Sequence, residues 1–184
     1  MGLDEIRIED LEVFANHGVF PEENALGQKF LVTAVLYTDT RKAGKTDDLT
    51  ASIHYGEVSA FIERYLREHT FQLLERAAQS LAEELLLSYP LLEKVRFTIK
   101  KPWAPVKLPL KTVSVTIERG WHTSYIALGS NMGDRRAYLE RAVRALDDRA
   151  DSRVEKVSGF IETPPYGVTD QADFLNGCLK LKTL

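Results

Sequence analysis

Apolar and charged residues alternate at the start of the chain: Ile6 and Ile8 flank Arg7, and Leu11 and Val13 resume the series after Glu9 and Asp10. A period of two predicts a strand, and the interruption predicts a bulge or bend within it. Phe30 to Thr38 is apolar almost throughout, which predicts a second strand covered on both faces for part of its length. Between them His17-Gly18-Val19-Phe20-Pro21-Glu22-Glu23-Asn24 is too turn-rich and polar for core and reads as a loop. A looser segment, Arg41 to Thr50, carries Gly44 and a capping signal in Thr46-Asp47-Asp48. The period then changes. Val58, Phe61, Ile62, Tyr65 and Leu66 recur at i, i+3, i+4 and predict a helix. Leu74, Ala78, Leu81 and Leu85 predict another from about Gln72 to Ser88, ended by Pro90. Alternation returns in Val95, Phe97 and Ile99, and again in Val113, Val115 and Ile117. The order to Arg119 is β-β-α-α-β-β.

A short linker, Gly120 to Ser124, precedes a second pattern. Tyr125 to Asp134 begins a strand-turn-helix, with Leu139, Ala142, Val143 and Leu146 as the helix's apolar face. A strand around Val154 to Phe160 leads into Glu162-Thr163-Pro164-Pro165-Tyr166-Gly167, and a last strand follows Asn176. The predicted organisation is a domain over residues 1–121 and a second over 124–184.

Composition changes this picture little. The 184 residues are 44% hydrophobic and 28% charged, ordinary for a soluble globular protein. A net charge of −3 gives no reason to expect nucleic acid or an anionic membrane as partner. One cysteine, Cys178, excludes an internal disulfide and a multi-thiolate metal site. His17, His54, His69 and His122 show no paired ligand spacing, so no metal is expected. No signal peptide opens the chain and no apolar run approaches membrane length, which predicts a cytoplasmic protein.

The chemistry-bearing residues have plain structural readings when taken singly. Glu75 lies in the first turns of its helix, where exposed amides and the helix dipole favour any carboxylate. Its two coplanar oxygens also suit paired N–H bonds from a flat amidine-like edge, such as that of a pterin or guanine. Lys101 before Pro102 reads as a solvated loop lysine, Tyr55 as a helix-start aromatic, and Glu23 as one of several loop acids.

Four motifs in order weigh against those readings: His17-Gly18 with Glu23-Asn24 and Gly27-Gln28, then His54-Tyr55-Gly56-Glu57-Val58, Leu73-Leu74-Glu75 and Lys101-Pro102-Trp103-Ala104-Pro105. By these, residues 1 to about 121 resemble a dihydroneopterin aldolase of folate biosynthesis. The resemblance implies an α+β tunnelling fold whose antiparallel sheets join between identical subunits, tetramer or octamer, into a barrel, with the pterin bound between neighbours. It implies Lys101 as acid/base group, Tyr55 as proton donor to the enol intermediate and Glu23 as contact for the side-chain hydroxyls. Glu75 would anchor the amino edge, with backbone near Ile53 and Leu74 completing ring recognition. No cofactor is implied, because the ring's own C=N bond serves as electron sink. A dihydroneopterin epimerase, or a non-catalytic pterin-binding or assembly module, is the alternative. One departure stands out: Val106 to Lys111 replaces a glycine-containing loop.

Residues 124–184 resemble the N-terminal part of a 6-hydroxymethyl-7,8-dihydropterin pyrophosphokinase, which implies a ferredoxin-like α+β domain. By that likeness Thr163, Pro164, Tyr166, Phe174 and Asn176 line a pterin pocket. The family's magnesium-binding aspartates and ATP-binding arginines do not occur in 124–184, so ATP and magnesium are expected only for a complete pyrophosphokinase. The segment Leu175 to Leu181 is expected to lie beside an open sheet edge.

Overall fold

The computed structural model describes residues 2–184, which divide into two compact units, the first ending at Gly120 and the second spanning Trp121–Leu184. The first unit contains β1 (Asp4–Ala15), α1 (Pro21–Leu26), β2 (Gln28–Thr38), α2 (Arg41–Thr46), α3 (Tyr55–Glu68), α4 (Leu74–Ser88), β3 (Lys94–Lys101) and β4 (Val113–Gly120), with a single 3₁₀ turn at Leu49–Ala51. The strands form one antiparallel sheet in the order β1-β2-β3-β4. Apart from three short helical pieces, this is the β-β-α-α-β-β order predicted from the hydrophobic pattern.

The two long helices cover one face of the sheet. Phe30, Val32, Ala34 and Leu36 of β2 and Val95, Phe97 and Ile99 of β3 are buried there with Val58, Ile62 and Leu66 of α3 and Ala77, Ala78, Leu81 and Leu85 of α4. Burying each large apolar side chain contributes roughly 1.5–3 kcal/mol, so this layer carries the stability of the unit. Strand β2 is covered on both faces for part of its length, as its apolar run predicts: Ala34, Val35 and Leu36 are all buried, with Val35 on the outer face opposite Arg7 and Arg96 in the ladder, while Lys29, Leu31, Thr33 and Tyr37 on that face are half-buried. The outer face of the sheet carries Arg7, Thr33, Lys94, Arg96, Thr98, Lys100, Thr116 and Glu118.

The bulge predicted in β1 falls between Ile8 and Leu11, where the register with β2 shifts. Asp10 there takes a left-handed conformation, φ 49°, which aspartate tolerates better than a β-branched residue. Its backbone N–H donates to Thr33 Oγ1, and its carboxylate accepts from Thr33 Oγ1 and from Lys100 Nζ at 2.6 Å. Lys100 holds the Asp10 carboxyl below its ordinary pKa, with Thr33 adding to the effect.

The second unit contains β5 (His122–Ser130), α5 (Arg135–Asp147), β6 (Ser152–Val157), β7 (Ile161–Thr163) and β8 (Phe174–Thr183). Strand β5 begins immediately after Trp121, so the linker is shorter than the pattern suggested. The sheet order is β5-β8-β6, with β7 also paired to β8 and every pairing antiparallel. Strands β5 and β6, joined through α5, therefore flank β8 in a split β-α-β arrangement, part of the predicted ferredoxin-like pattern. This corrects one expectation. Leu175 to Leu181 lies on the central strand, and Leu175, Leu179 and Leu181 are buried with Leu139 of α5. The period-two pattern could not show which neighbours the last strand would find. Among the described residues no helix is long and apolar enough to cross a membrane.

Candidate active site

The first unit has a cavity of about 300 Å³ lined by residues from four places in the chain: Val19, Phe20 and Glu23; Gln72 to Glu75; Lys101 and Ala104 to Val106; and Val113 and Val115. Lys101 ends β3 on the helix-covered face, two residues beyond Ile99, so the ladder aims its side chain into the protein. Only a tenth or less of either side chain is exposed where its ammonium meets the Glu23 carboxylate. Glu23 is itself tightly held. Phe20 N–H donates to Oε2 at 3.1 Å, closing the first turn of α1, and Gln28 Nε2 donates to Oε1 at 3.1 Å. Burial alone would raise the Glu23 pKa, but Lys101, the Phe20 amide and Gln28 together hold it below the ordinary value.

Gly18 makes this packing possible. A Cβ at that position would fall 2.3 Å from Glu23 Oε2, so only glycine lets the carboxylate lie against the loop. Asn24 and Asn16 lock the same loop: Asn24 Nδ2 donates to Gly18 O at 3.0 Å, and Asn16 Nδ2 donates to Asn24 O at 2.8 Å. The sequence reading made Glu23 a contact for substrate hydroxyls. The structure places it at the floor of the cavity as the counter-ion of Lys101.

Across the cavity, α4 starts at Leu74 rather than at Gln72, with Leu73 in the N-cap position and no side chain capping it. Glu75 is therefore the second helical residue, exposed and beside the unsatisfied amides of the first turn. Leu74 is buried and fixes the helix against the unit's core. The arrangement offers an exposed carboxylate at the rim and a buried ammonium–carboxylate pair at the floor, separated by mostly apolar wall.

Ile53 and Tyr55 are not part of this cavity. Ile53 is buried in front of α3 and lines a different cavity of about 350 Å³ with Ser52, His54, Glu57 and Tyr89, while Tyr55 opens α3 with 64% of its surface exposed. Four of the six residues singled out in this unit thus converge, and two lie elsewhere. In the second unit, Asn176 Nδ2 donates to Thr163 Oγ1 at 2.7 Å, and Phe174 faces Thr163 across the β7–β8 ladder. Pro164 and Tyr166 follow in the loop, where Tyr166 is fully exposed. Among the described residues no group of three or more His, Cys, Asp or Glu side chains is placed to hold a metal ion.

Sequence reasoning passed over two participants. Gln28 stood in a quoted motif without a role, and its amide helps fix Glu23. His17 opens the same motif and likewise had no role beyond the absence of metal-ligand spacing, whereas it is 1% exposed and packed against Phe30 and Phe71 at ring-centroid distances of 5.1 and 5.5 Å. Burial, with the nearby Lys101 charge, pushes its pKa down from 6.5 to about 4. A histidine between Asn16 and Gly18 at the start of a polar, turn-rich loop gave no sequence signal of this environment.

Residues 6–118 match the family model for dihydroneopterin aldolase, and residues 125–184 match that for 7,8-dihydro-6-hydroxymethylpterin-pyrophosphokinase. The dihydroneopterin aldolase of Methylorubrum extorquens is 35% identical over 117 residues, covering 64% of this chain and 90% of the relative. That of Streptomyces coelicolor is 37% identical over 117 residues, covering 64% and 98%. The crystal structure of E. coli dihydroneopterin aldolase in complex with neopterin superimposes with a TM-score of 0.60 and 32% identity, covering 64% of this chain and all of that one. A Burkholderia dihydroneopterin aldolase structure bound to guanine, 19% identical with a TM-score of 0.53, shares the fold.

The depressed His17 pKa has a consequence for stability. The folded state keeps the ring neutral down to about pH 4, whereas an unfolded histidine protonates near 6.5. Its contribution is therefore fully present above pH 6.5 and is lost as the pH falls from there towards 4. The loss is on the order of 3 kcal/mol by pH 4. Urea midpoints measured from pH 7 to 4 should fall steeply in the wild type and less in His17→Phe. An equal fall in both would show that other groups set the acid sensitivity.

Proposed function

Because the chain belongs to the dihydroneopterin aldolase family, we propose that the cavity floored by Lys101 and Glu23 carries out the retro-aldol cleavage of 7,8-dihydroneopterin. The products are 6-hydroxymethyl-7,8-dihydropterin and glycolaldehyde. The observation that carries this reading is the buried Lys101–Glu23 pair at the base of a pterin-sized cavity with Glu75 at its rim.

In this reading Glu75 accepts paired N–H bonds from the pterin's amino edge, with Leu74 backbone alongside, and the triol side chain extends towards the floor. The proton of the C2′ hydroxyl passes to the Lys101–Glu23 pair. The C1′–C2′ bond breaks, glycolaldehyde leaves, and the bond's electrons enter the ring C=N at position 6 to give an enol. A proton delivered to C1′ restores the C=N and leaves the hydroxymethyl group. The proton taken from the hydroxyl replaces the one delivered, so the cycle closes without an external acid or base. The Glu23 carboxylate, kept ionised by Lys101, the Phe20 amide and Gln28, holds the Lys101 ammonium in place at the floor.

Tyr55 is the family-like donor to the enol, and a neighbouring copy is the reading that brings it to this cavity. Three observations support such an assembly. Tyr55 is exposed, Ile53 lines a separate cavity, and the outer strands β1 and β4 of the sheet have unpaired edges within the copy described. Adding sheets edge to edge into a tetrameric or octameric barrel satisfies those edges and joins the two half-sites. Epimerisation shares the same bond cleavage, with the aldehyde recombining before it escapes. Nothing in the cavity favours it over release.

In the second unit, Thr163, Pro164, Tyr166, Phe174 and Asn176 form the candidate pterin contacts, with Phe174 as stacking face. The resemblance calls for ATP and magnesium only in a complete pyrophosphokinase, and no phosphoryl step is proposed for these residues.

Incubation with 7,8-dihydroneopterin, following glycolaldehyde and 6-hydroxymethyl-7,8-dihydropterin, tests the function directly; absence of both products would defeat it. Glu75→Gln should weaken pterin binding by about 1.5–3 kcal/mol, because the amide presents a donor where an acceptor is required. Unchanged affinity in a titration would remove Glu75 as the anchor. Lys101→Ala should lower kcat by about a hundredfold or more while leaving affinity largely intact. If affinity collapses and turnover at saturation survives, Lys101 binds rather than catalyses. Sedimentation should show a multimer at assay concentration, and an active monomer would contradict the shared site.

A further inference from the structure

His17 takes no part in the cleavage, yet it is the most deeply buried polar side chain among the described residues, 1% exposed. Its Nδ1 accepts a hydrogen bond from Phe71 N–H at 3.3 Å, which puts the proton of the neutral ring on Nε2. Nε2 has no partner. A buried donor without an acceptor is a cost, and a phenylalanine would fill the same space without it. The property an imidazole has and a phenyl lacks here is the acceptor at Nδ1.

That acceptor lies at a junction. Gly18 N–H donates to Phe71 O at 2.9 Å, so His17 and Gly18 between them satisfy both backbone polar groups of Phe71. Phe71 directly precedes Gln72 to Glu75, the rim of the cavity. The same dipeptide is bound to the opposite wall, because Gly18 O accepts from Asn24 and the Glu23 side chain lies against the Gly18 Cα. The His17 ring packs between Phe71 and Phe30, and Lys101 Nζ stands 6.0 Å over the Phe30 ring.

We infer that His17 is a positioning residue, whose Nδ1 fixes the Phe71 segment, and with it Glu75, at the separation from Lys101 that the bound pterin must span. This rests on reading the cavity as the pterin site. His17 acts on the anchor rather than on the acid–base pair, since Lys101 is held by the β3 ladder and by Glu23. Its loss should therefore register in KM and leave kcat nearly untouched.

Two variants of the full chain separate the acceptor from the packing. His17→Phe keeps a ring between Phe30 and Phe71 and removes the acceptor; His17→Asn supplies Oδ1 near the place of Nδ1. With 7,8-dihydroneopterin as substrate, His17→Phe should raise KM about tenfold or more with kcat within about threefold, and His17→Asn should stay within about threefold of wild type in both. Amide exchange at Phe71 should be fast in His17→Phe and slow in wild type and His17→Asn. An unchanged KM in His17→Phe, a fall in kcat at constant KM, or equal damage in both variants would overturn the proposal. If His17→Phe does not fold, His17→Asn decides alone: wild-type KM and a protected Phe71 amide support the role, and loss of either overturns it. Inactivity of the wild-type chain would instead defeat the aldolase reading. Neopterin affinity of the same three proteins would then replace KM, with the same expectations.

Discussion

A carboxylate and an ammonium taken out of water together set the terms for the rest of the first unit. Desolvating Lys101 and Glu23 costs several kcal/mol per ion, and their mutual attraction offsets this only with close geometry and further hydrogen bonds. Each surrounding feature serves that geometry. The β3 ladder delivers Lys101 to the helix-covered face, α1 folds back so that Glu23 can meet it, and Gln28 and the Phe20 amide occupy the carboxylate's remaining lone pairs. Gly18 clears the space, and Asn16 and Asn24 fasten the loop. Such a pair is weak evidence for stability. In the proposed mechanism its value is chemical, because it keeps an ammonium and a carboxylate together in one dry place.

The sheet underneath divides its two faces between different tasks. The face covered by α3 and α4 is a closely packed apolar layer, which keeps the end of β3 and the start of α4 at a fixed spacing. The opposite face is polar, crossed by ion pairs such as Lys100 with Asp10 and Lys94 with Glu118. Exposed pairs of this kind add little stability singly. They keep that face hydrated and disfavour nonspecific stacking. The unpaired edges and the separation of Tyr55 from Lys101 both point outward from the single copy, and the proposed assembly answers both.

The second unit solves its own pairing problem differently. Strand β8 has partners on both sides, so its buried leucines hold β5, β6 and α5 together. The β7 segment pairs with the start of β8, where Asn176 donates to Thr163. Gly129 lies opposite Asn176 in the ladder, and a Cβ there would come within 2.7 Å of the Asn176 Oδ1. Of the groups proposed to meet a pterin, Thr163 and Asn176 are thus set by strand pairing.

Local pattern by itself determined the long elements. Period two in Val95, Phe97 and Ile99 and period 3.6 in Leu74, Ala78, Leu81 and Leu85 follow from backbone geometry alone, and the break at Glu9-Asp10 located the bulge. The four motifs identified the family before any contact was known. The short helices α1 and α2 left no trace, because six residues are too few to establish a period. Tertiary structure decided everything that depends on partners far apart in the chain. It made Glu23 the counter-ion of Lys101, buried His17 against Phe71, set β8 in the middle of its sheet, and put Ile53 and Tyr55 outside the cavity. A side chain's sequence neighbours set which face it occupies. What it meets there depends on how the elements pack, and no window of adjacent residues contains that.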